Sequence, residues 1–206
     1  FRHKLLSGES LLYSWDVGMG VNFAALYAYY LASPFNWLLL LCPSSLIIEF
    51  MTYMIVFKSG LAGLSMAWYL KKHTGSQKFG ACYFGVFYAL SGYMAAYSWN
   101  IMWLDCIVLL PLILHGLERL VREKKGLFYC LMLGLSILSN YYISIMICLF
   151  MVIYYVALLF LEKRPGWKDC LHSFFLFGVY SLLAGALAAA VLLPEIAALQ
   201  STASGD

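Results

Sequence analysis

Long, nearly unbroken apolar runs dominate this chain and limit what it can fold into. Leu46 to Leu70, Ala81 to Tyr97 and Ile143 to Leu161 carry almost no charge. About 20 apolar residues in helical form cross a hydrocarbon layer of about 30 Å. In lipid only a helix or a closed barrel satisfies every backbone N–H and C=O. The runs are built from Leu, Ala, Met and Phe without the strict alternation of a barrel strand, so they read as helices. Charged residues are only 11% of the sequence and hydrophobic ones 64%, whereas a soluble domain carries roughly a quarter charged. The expected fold is all-α: a polytopic transmembrane helical bundle. Phe1 is not an initiator Met and the chain stops in a polar run after Gln200, so it reads as an internal stretch of a longer protein.

The remaining composition excludes several classes. A net charge of +3 is too small to point to nucleic acid, and the positive residues cluster instead of spreading. The six cysteines form no C-x-x-C pair and no histidine stands at ligand spacing from them, so no metal site is expected. They read as small apolar side chains in helix packing.

The basic clusters set the threading. Lys71, Lys72 and Lys78, then Arg119, Arg122, Lys124 and Lys125, then Lys163, Arg164 and Lys168 fall between apolar runs. Short basic loops stay in the cytoplasm. Leu46–Leu70 then enters the cytoplasm, Gly80–Tyr97 leaves it, Ile101–Val121 returns, and Leu171–Leu193 exits at Pro194-Glu195. Residues 127–161 would make one helix of about 50 Å and would put two basic loops on opposite sides. A break at Ser139-Asn140-Tyr141 resolves both conflicts. It leaves a first arm of about 20 Å, too short to cross, which places Asn140 below the outer surface at the floor of a cavity. About six spans are expected, with residues 45–195 forming the transmembrane helices. Residues 21–42 are ambiguous: a span starting in the cytoplasm, or a re-entrant or interfacial helix pair kinked at Pro34.

With this threading the unusual polar residues gather at the external end: Asp16, Asn22, Asn36, Asn100, Asp105, Asn140 and Glu195, with Tyr29, Tyr30, Trp99, Trp103, Tyr141 and Tyr142 among them. Ionisable groups at membrane depth are expensive and usually line cavities. Aromatic faces interleaved with amides and carboxylates suit a carbohydrate. Each residue also has a plainer role. The aromatics would serve as an interfacial belt, Asn100 as a helix cap favouring Asp105 in the first turns, Asp16 as a turn residue and Glu195 as a solvated end. Lys58 lies in the middle of an apolar run, either snorkelling or pairing with a carboxylate such as Glu49. The cytoplasmic end shows basic loops and little else.

Two early runs, YSWDVGMGVN at 13–22 and YYLASPFN at 29–36, carry a resemblance, as do WNIMWLD at 99–105, Leu110-Pro111 followed by Gly116-Leu117-Glu118, and Asn140-Tyr141-Tyr142. Together they resemble the YfhO family of bacterial membrane proteins over nearly the whole chain. That family is similar to the GT-C glycosyltransferases, many-pass enzymes that use polyprenyl-phosphate sugars at the outer face and glycosylate envelope polymers such as lipoteichoic acid. The resemblance implies that residues 1–44 form an external loop with re-entrant or interfacial helices. It also implies a key acidic residue in the first external loop, upstream of Phe1, leaving Asp16 the catalytic candidate by proximity. A carboxylate there would act as general base on an acceptor hydroxyl. The asparagines and aromatics would hold sugar, and Arg2 and Lys4 the donor phosphate. Asp105 and Glu195 are candidates to orient hydroxyls or hold a divalent cation. The competing class is a transporter or lipid-linked-sugar flippase, which predicts inverted repeats and polar groups at the midplane. No internal repeat stands out here. The expected partners are membrane lipids, the lipid-linked sugar and an envelope glycopolymer, in the bacterial plasma membrane.

Overall fold

The computed structural model describes residues 2–15, 20–75, 79–161 and 166–200. A short helix α1 (Arg2–Ser7) leads into a two-residue antiparallel pairing, Tyr13 with Asn22 and Ser14 with Val21. Next comes α2 (Phe23–Leu26), which runs on as a π-helical turn over Tyr27–Leu31, and then a 3₁₀ arm, Pro34–Leu41. The long helices follow: α3 (Ile47–Thr74), α4 (Gly80–Ala89), α5 (Gly92–Tyr97), α6 (Ile101–Glu123), α7 (Leu127–Ser139), α8 (Tyr141–Leu161), α9 (Trp167–Leu187) and α10 (Ala189–Gln200). The all-α reading holds. Among the described residues, four helices (α3 with its leading turn, α6, α8 and α9) are each long and apolar enough to cross a membrane, and the bent pair Phe23–Leu31 with Pro34–Leu41 would be a fifth if it counts as one span.

The helices stop where the sequence supplies a reason. Gly75 ends α3 in the left-handed conformation at φ 64°, which glycine adopts without steric cost. The bent pair turns by 99° at Ala32-Ser33, because Pro34 disfavours helical geometry in the residue before it. Asn140, extended at φ −161° and ψ 110°, separates α7 from α8, so the break falls where the length argument puts it.

Two expected spans are organised differently. Residues 80–97 are split at Leu90-Ser91 into α4 and α5, about 15 and 9 Å long. The last span stops at Leu187 instead of running to Leu193, and the chain re-enters helix as α10, with Pro194 inside it and Glu195 buried. Pro194 therefore does not end a span. α10 folds back against α2 and the π turn.

α6 is the central helix, packed by α3 on one side and by α7, α8 and α9 on the other. Leu109, Ile113 and Leu117 of α6 meet Leu133 and Ile137 of α7 and Ile147 and Met151 of α8 in one buried cluster. Pro111 lies inside α6 and cannot donate to the carbonyl of Ile107 four residues earlier. The Tyr88 hydroxyl of α4 donates to that carbonyl at 2.8 Å. A kink-prone site is thus closed by a neighbouring helix, as lipid-embedded backbone requires. On the outer faces Phe84, Phe87, Leu149, Ile153, Phe174, Phe175 and Leu182 stand exposed, an apolar coat suited to lipid and far beyond what a soluble surface tolerates.

Small residues let α3 and α4 touch. A Cβ on Gly85 would lie 2.6 Å from the Gly63 carbonyl oxygen and 2.9 Å from Ala67 Cβ, whereas one on Gly60 meets nothing. Close approach through small residues is the usual way membrane helices associate. Gly85→Ala is expected to cost about 1–3 kcal/mol by overpacking, while Gly60→Ala is neutral or slightly stabilising. Thermal unfolding of the two variants in detergent reads the difference; equal melting temperatures would mean that the α3–α4 contact is looser than this.

Candidate functional site

A cavity of about 610 Å³ opens at the end of the bundle formed by the bent pair, the start of α3 and the start of α6. Six residues anticipated from sequence line it: Tyr29, Tyr30 and Asn36 from the bent pair, and Trp99, Asn100 and Trp103 at the entry to α6. Leu39, Phe50, Met51 and Met54 complete an apolar wall. A larger groove of about 740 Å³ runs along α9, but its lining comes from that helix alone and includes no cluster of polar groups, so it is a lipid-facing surface.

The aromatic rings form a continuous array behind the cavity. Tyr29 lies edge-on to Tyr30 at 4.6 Å and to Tyr141 at 5.9 Å, and it is 6.4 Å from Tyr142. Tyr142 lies 6.1 Å from Trp103, which lies 6.0 Å from Tyr97. The α7–α8 break brings Tyr141 and Tyr142 here, and Asn140 fixes the break. Asn140 is fully buried, accepts from the Ile143 N–H at 3.0 Å and donates to the Tyr29 carbonyl at 3.1 Å. Its role is to hold α8 and the bent pair together. Cys106 and the Ser136–Ser144 hydroxyl pair meet the polar groups beneath it.

Asn36 likewise spends its amide on backbone, donating to the Leu31 carbonyl at 3.1 Å across the bend. Asn22 caps α2 by accepting from the N–H groups of Ala24 and Ala25, the ordinary cap geometry. Asn100 occupies the N-cap position of α6 but makes no side-chain cap bond. Among the described residues, Asn100 Nδ2, Trp103 Nε1, Asp105 Oδ1 and Glu195 Oε2 are buried without a hydrogen-bond partner. Such groups cost about 1–3 kcal/mol each when nothing meets them; the Tyr93 and Tyr155 hydroxyls and His115 Nδ1 are likewise unpartnered, and the four named first are the ones that give a polar ligand at this end something to satisfy.

Directly behind the cavity wall lies an ion pair. Lys58 Nζ is 2.9 Å from Asp105 Oδ2, and both residues are almost wholly buried. The same ammonium donates to the Ile101 carbonyl at 3.1 Å and to Ser33 Oγ at 3.5 Å, and it sits 5.4 Å from the centre of the Phe35 ring. One cation thus ties α3, the start of α6 and the corner of the bent pair. Lys58 neither snorkels nor reaches Glu49, which is exposed. Its partner is Asp105, which sequence spacing could not reveal because the two are 47 residues apart. One oxygen of Asp105, Oδ2, is thus committed to the Lys58 cation, while Oδ1 is left without a partner.

The remaining candidates are dispersed. Asp16 lies outside the described residues, and Arg2 begins α1. Lys4 is bonded within its own loop, to Glu9 Oε2 at 3.2 Å and to the carbonyls of Ser10 and Tyr13. It holds the Glu9 carboxyl below its usual range. Glu195 is buried and partners the Tyr141 hydroxyl, so α10 contributes a carboxylate to the back of the aromatic array. Among the described residues no three His, Cys, Asp or Glu side chains converge as metal ligands.

The opposite end holds a polar cluster that the sequence reading passed over. Buried Glu118 Oε1 accepts from Tyr154 at 2.6 Å and Tyr69 at 2.7 Å and lies 2.8 Å from His73 Nδ1, while Oε2 is 3.6 Å from Arg122. It bolts α3, α6 and α8 together beside the basic ends of α3 and α6. Glu118 at i−4 from Arg122 was the available signal; the tyrosines come from helices far away in sequence. Because Tyr69 and His73 of α3 meet Glu118 of α6, while Lys58 meets Asp105, the two helices run parallel. The basic residues therefore collect at one end and the cavity at the other.

Lys58→Met leaves a buried carboxylate unpaired and is expected to cost about 3–5 kcal/mol, whereas Lys58→Met/Asp105→Leu recovers most of that loss. Denaturant unfolding in detergent measures both; a double variant no more stable than the single one would remove the ion pair from this account.

The comparisons agree with this architecture. A family model described as bacterial membrane protein YfhO matches residues 1–205. A protein of Bacillus subtilis (strain 168) described as uncharacterized protein YfhO is 24% identical over 199 residues, covering 89% of this chain and 23% of its own length. The chain thus spans about a quarter of that relative. No solved structure matches. With the family model running over nearly its whole length and the apolar helices to fit, the chain belongs to the YfhO family of bacterial membrane proteins.

Proposed function

We propose that this chain builds the outer-face substrate chamber of a glycosyltransferase in the bacterial plasma membrane. The enzyme takes sugar from a polyprenyl-phosphate carrier and places it on an envelope polymer such as lipoteichoic acid. The observation that supports this reading is the cavity at the end remote from the basic loops, where Tyr29, Tyr30, Trp99, Trp103, Asn36 and Asn100 come together. Aromatic faces stack against the C–H faces of a sugar, and the amides meet its hydroxyls. The apolar wall of Leu39, Phe50, Met51 and Met54 suits the first isoprene units of the carrier.

In this reading a carboxylate in the external loop, Asp16 or one upstream, removes the proton from the acceptor hydroxyl as it attacks the anomeric carbon. The leaving phosphate stays at the surface, where Arg2 is the candidate cation. Lys4 is occupied by Glu9 and two carbonyls, so it stabilises the loop instead. Tyr142 and Trp103 position the sugar, and Asn140 positions Tyr29.

A transporter or flippase is the second reading, and one observation favours it: Lys58 and Asp105 form an ion pair inside spanning helices, a feature often found on transport pathways. Proteoliposomes carrying the whole protein and a radiolabelled polyprenyl-phosphate sugar separate the two. The transferase moves label onto an acceptor polymer, and Trp103→Ala lowers that rate by about tenfold or more. Label crossing the bilayer with no transfer supports the flippase. Undiminished transfer after every outer-end carboxylate is substituted contradicts the proposed mechanism.

A further inference from the structure

The cavity differs from a phosphate site in one respect: among the described residues that line it, none is charged. Lys58 stands behind the wall, where its three bonds go to Asp105, the Ile101 carbonyl and Ser33. Its charge is cancelled at 2.9 Å by Asp105. A charged ring entering this chamber would lose water and gain no counter-charge, which is costly. An uncharged ring loses much less, since the Asn100 amide, whose Nδ2 is unpartnered, offers it a donor and aromatic faces cover its C–H surface. The volume of about 610 Å³ falls among those of small-molecule sites, roughly 300–1,000 Å³. On one side the wall is Phe50, Met51 and Met54, an apolar surface suited to an alkyl chain.

From this geometry we infer that the cavity is a binding site for an uncharged sugar ring carried on a lipid tail, and that the Lys58–Asp105 pair excludes acidic sugars by neutralising the lysine behind the wall that would otherwise attract them. The inference rests on the carbohydrate reading of the site but not on turnover. Lys58 and Asp105 act here through the charge they cancel, so they are positioning and specificity residues and touch no reacting atom.

The test uses the whole protein in lipid nanodiscs, titrated with dodecyl β-glucoside and dodecyl β-glucuronide at monomeric concentrations, with binding read from tryptophan fluorescence. The wild type is expected to bind the glucoside at least about tenfold more tightly than the glucuronide, a difference of about 1.4 kcal/mol. Trp99→Phe/Trp103→Phe should remove the binding-linked signal. Asp105→Asn frees the charge of Lys58, and the preference should shrink to about threefold or reverse. Should that variant misfold, Lys58→Met/Asp105→Leu is as uncharged as the native pair and should keep the wild-type preference. A pair that acts only by holding the fold predicts the same change in both variants. Equal or tighter glucuronide binding by the wild type overturns the inference, as does a signal that survives in the Trp99→Phe/Trp103→Phe protein or a lost preference in the folded uncharged variant. Loss of the transferase reading in proteoliposomes, with this binding pattern intact, would leave the site and remove only the enzyme.

Discussion

An ammonium and a carboxylate shut away from water, 2.9 Å apart, are stable only if they find each other and if the remaining protons and lone pairs are met. Lys58 meets that condition on three sides, and each bond goes to a different part of the fold: α3 carries the lysine, α6 the aspartate and the Ile101 carbonyl, and the bent pair the Ser33 hydroxyl. The 3₁₀ arm that follows the corner at Ser33 has no buried residues, and it is held further by the Asn36 bond to the Leu31 carbonyl and the Phe35–Phe57 ring contact. The position of Tyr29, Tyr30 and Asn36 over the start of α6 therefore depends on this ion pair and on the Asn140 bond to the Tyr29 carbonyl. The cavity exists because those two tethers hold a bent, partly buried segment against the bundle.

At the other end Glu118 plays a matching part. It gathers Tyr69, Tyr154, His73 and Arg122 beside the basic helix ends and ties α3 to α8 through α6. Between the two polar bolts the contact is apolar, with α6 at the centre and small residues such as Gly63, Gly85 and Gly116 allowing backbones to approach. A membrane bundle gains little from moving apolar groups out of lipid, so close packing and a few buried polar contacts carry much of the specificity.

Much of this was legible in the sequence, and the limits follow from range. Apolar run length identifies α3, α6 and α8, and arithmetic on residues 127–161 finds the break at Asn140, because both depend on neighbours along the chain. The gathering of Trp99, Asn100 and Trp103 follows from threading once basic loops define one end, whereas Tyr29, Tyr30 and Asn36 join them only with the family resemblance, because threading leaves residues 21–42 open. What escaped depends on contacts across long separations: the Lys58 partner, the tyrosines around Glu118, and the turn at Ala188 that brings Glu195 back under Tyr141. The split of residues 80–97 has a different origin. Hydropathy does not register a helix break when both sides are equally apolar, and only the extended backbone of Ser91 marks it.

The account turns on which side of the membrane the cavity faces. In a cysteine-free background, Trp99→Cys at the cavity mouth and Lys125→Cys at the basic end occupy exposed positions at opposite ends of α6. A membrane-impermeant maleimide added to intact cells is predicted to label Trp99→Cys at once and Lys125→Cys only after permeabilisation. Labelling of Lys125→Cys from outside, with Trp99→Cys protected, would place the chamber in the cytoplasm and contradict the account.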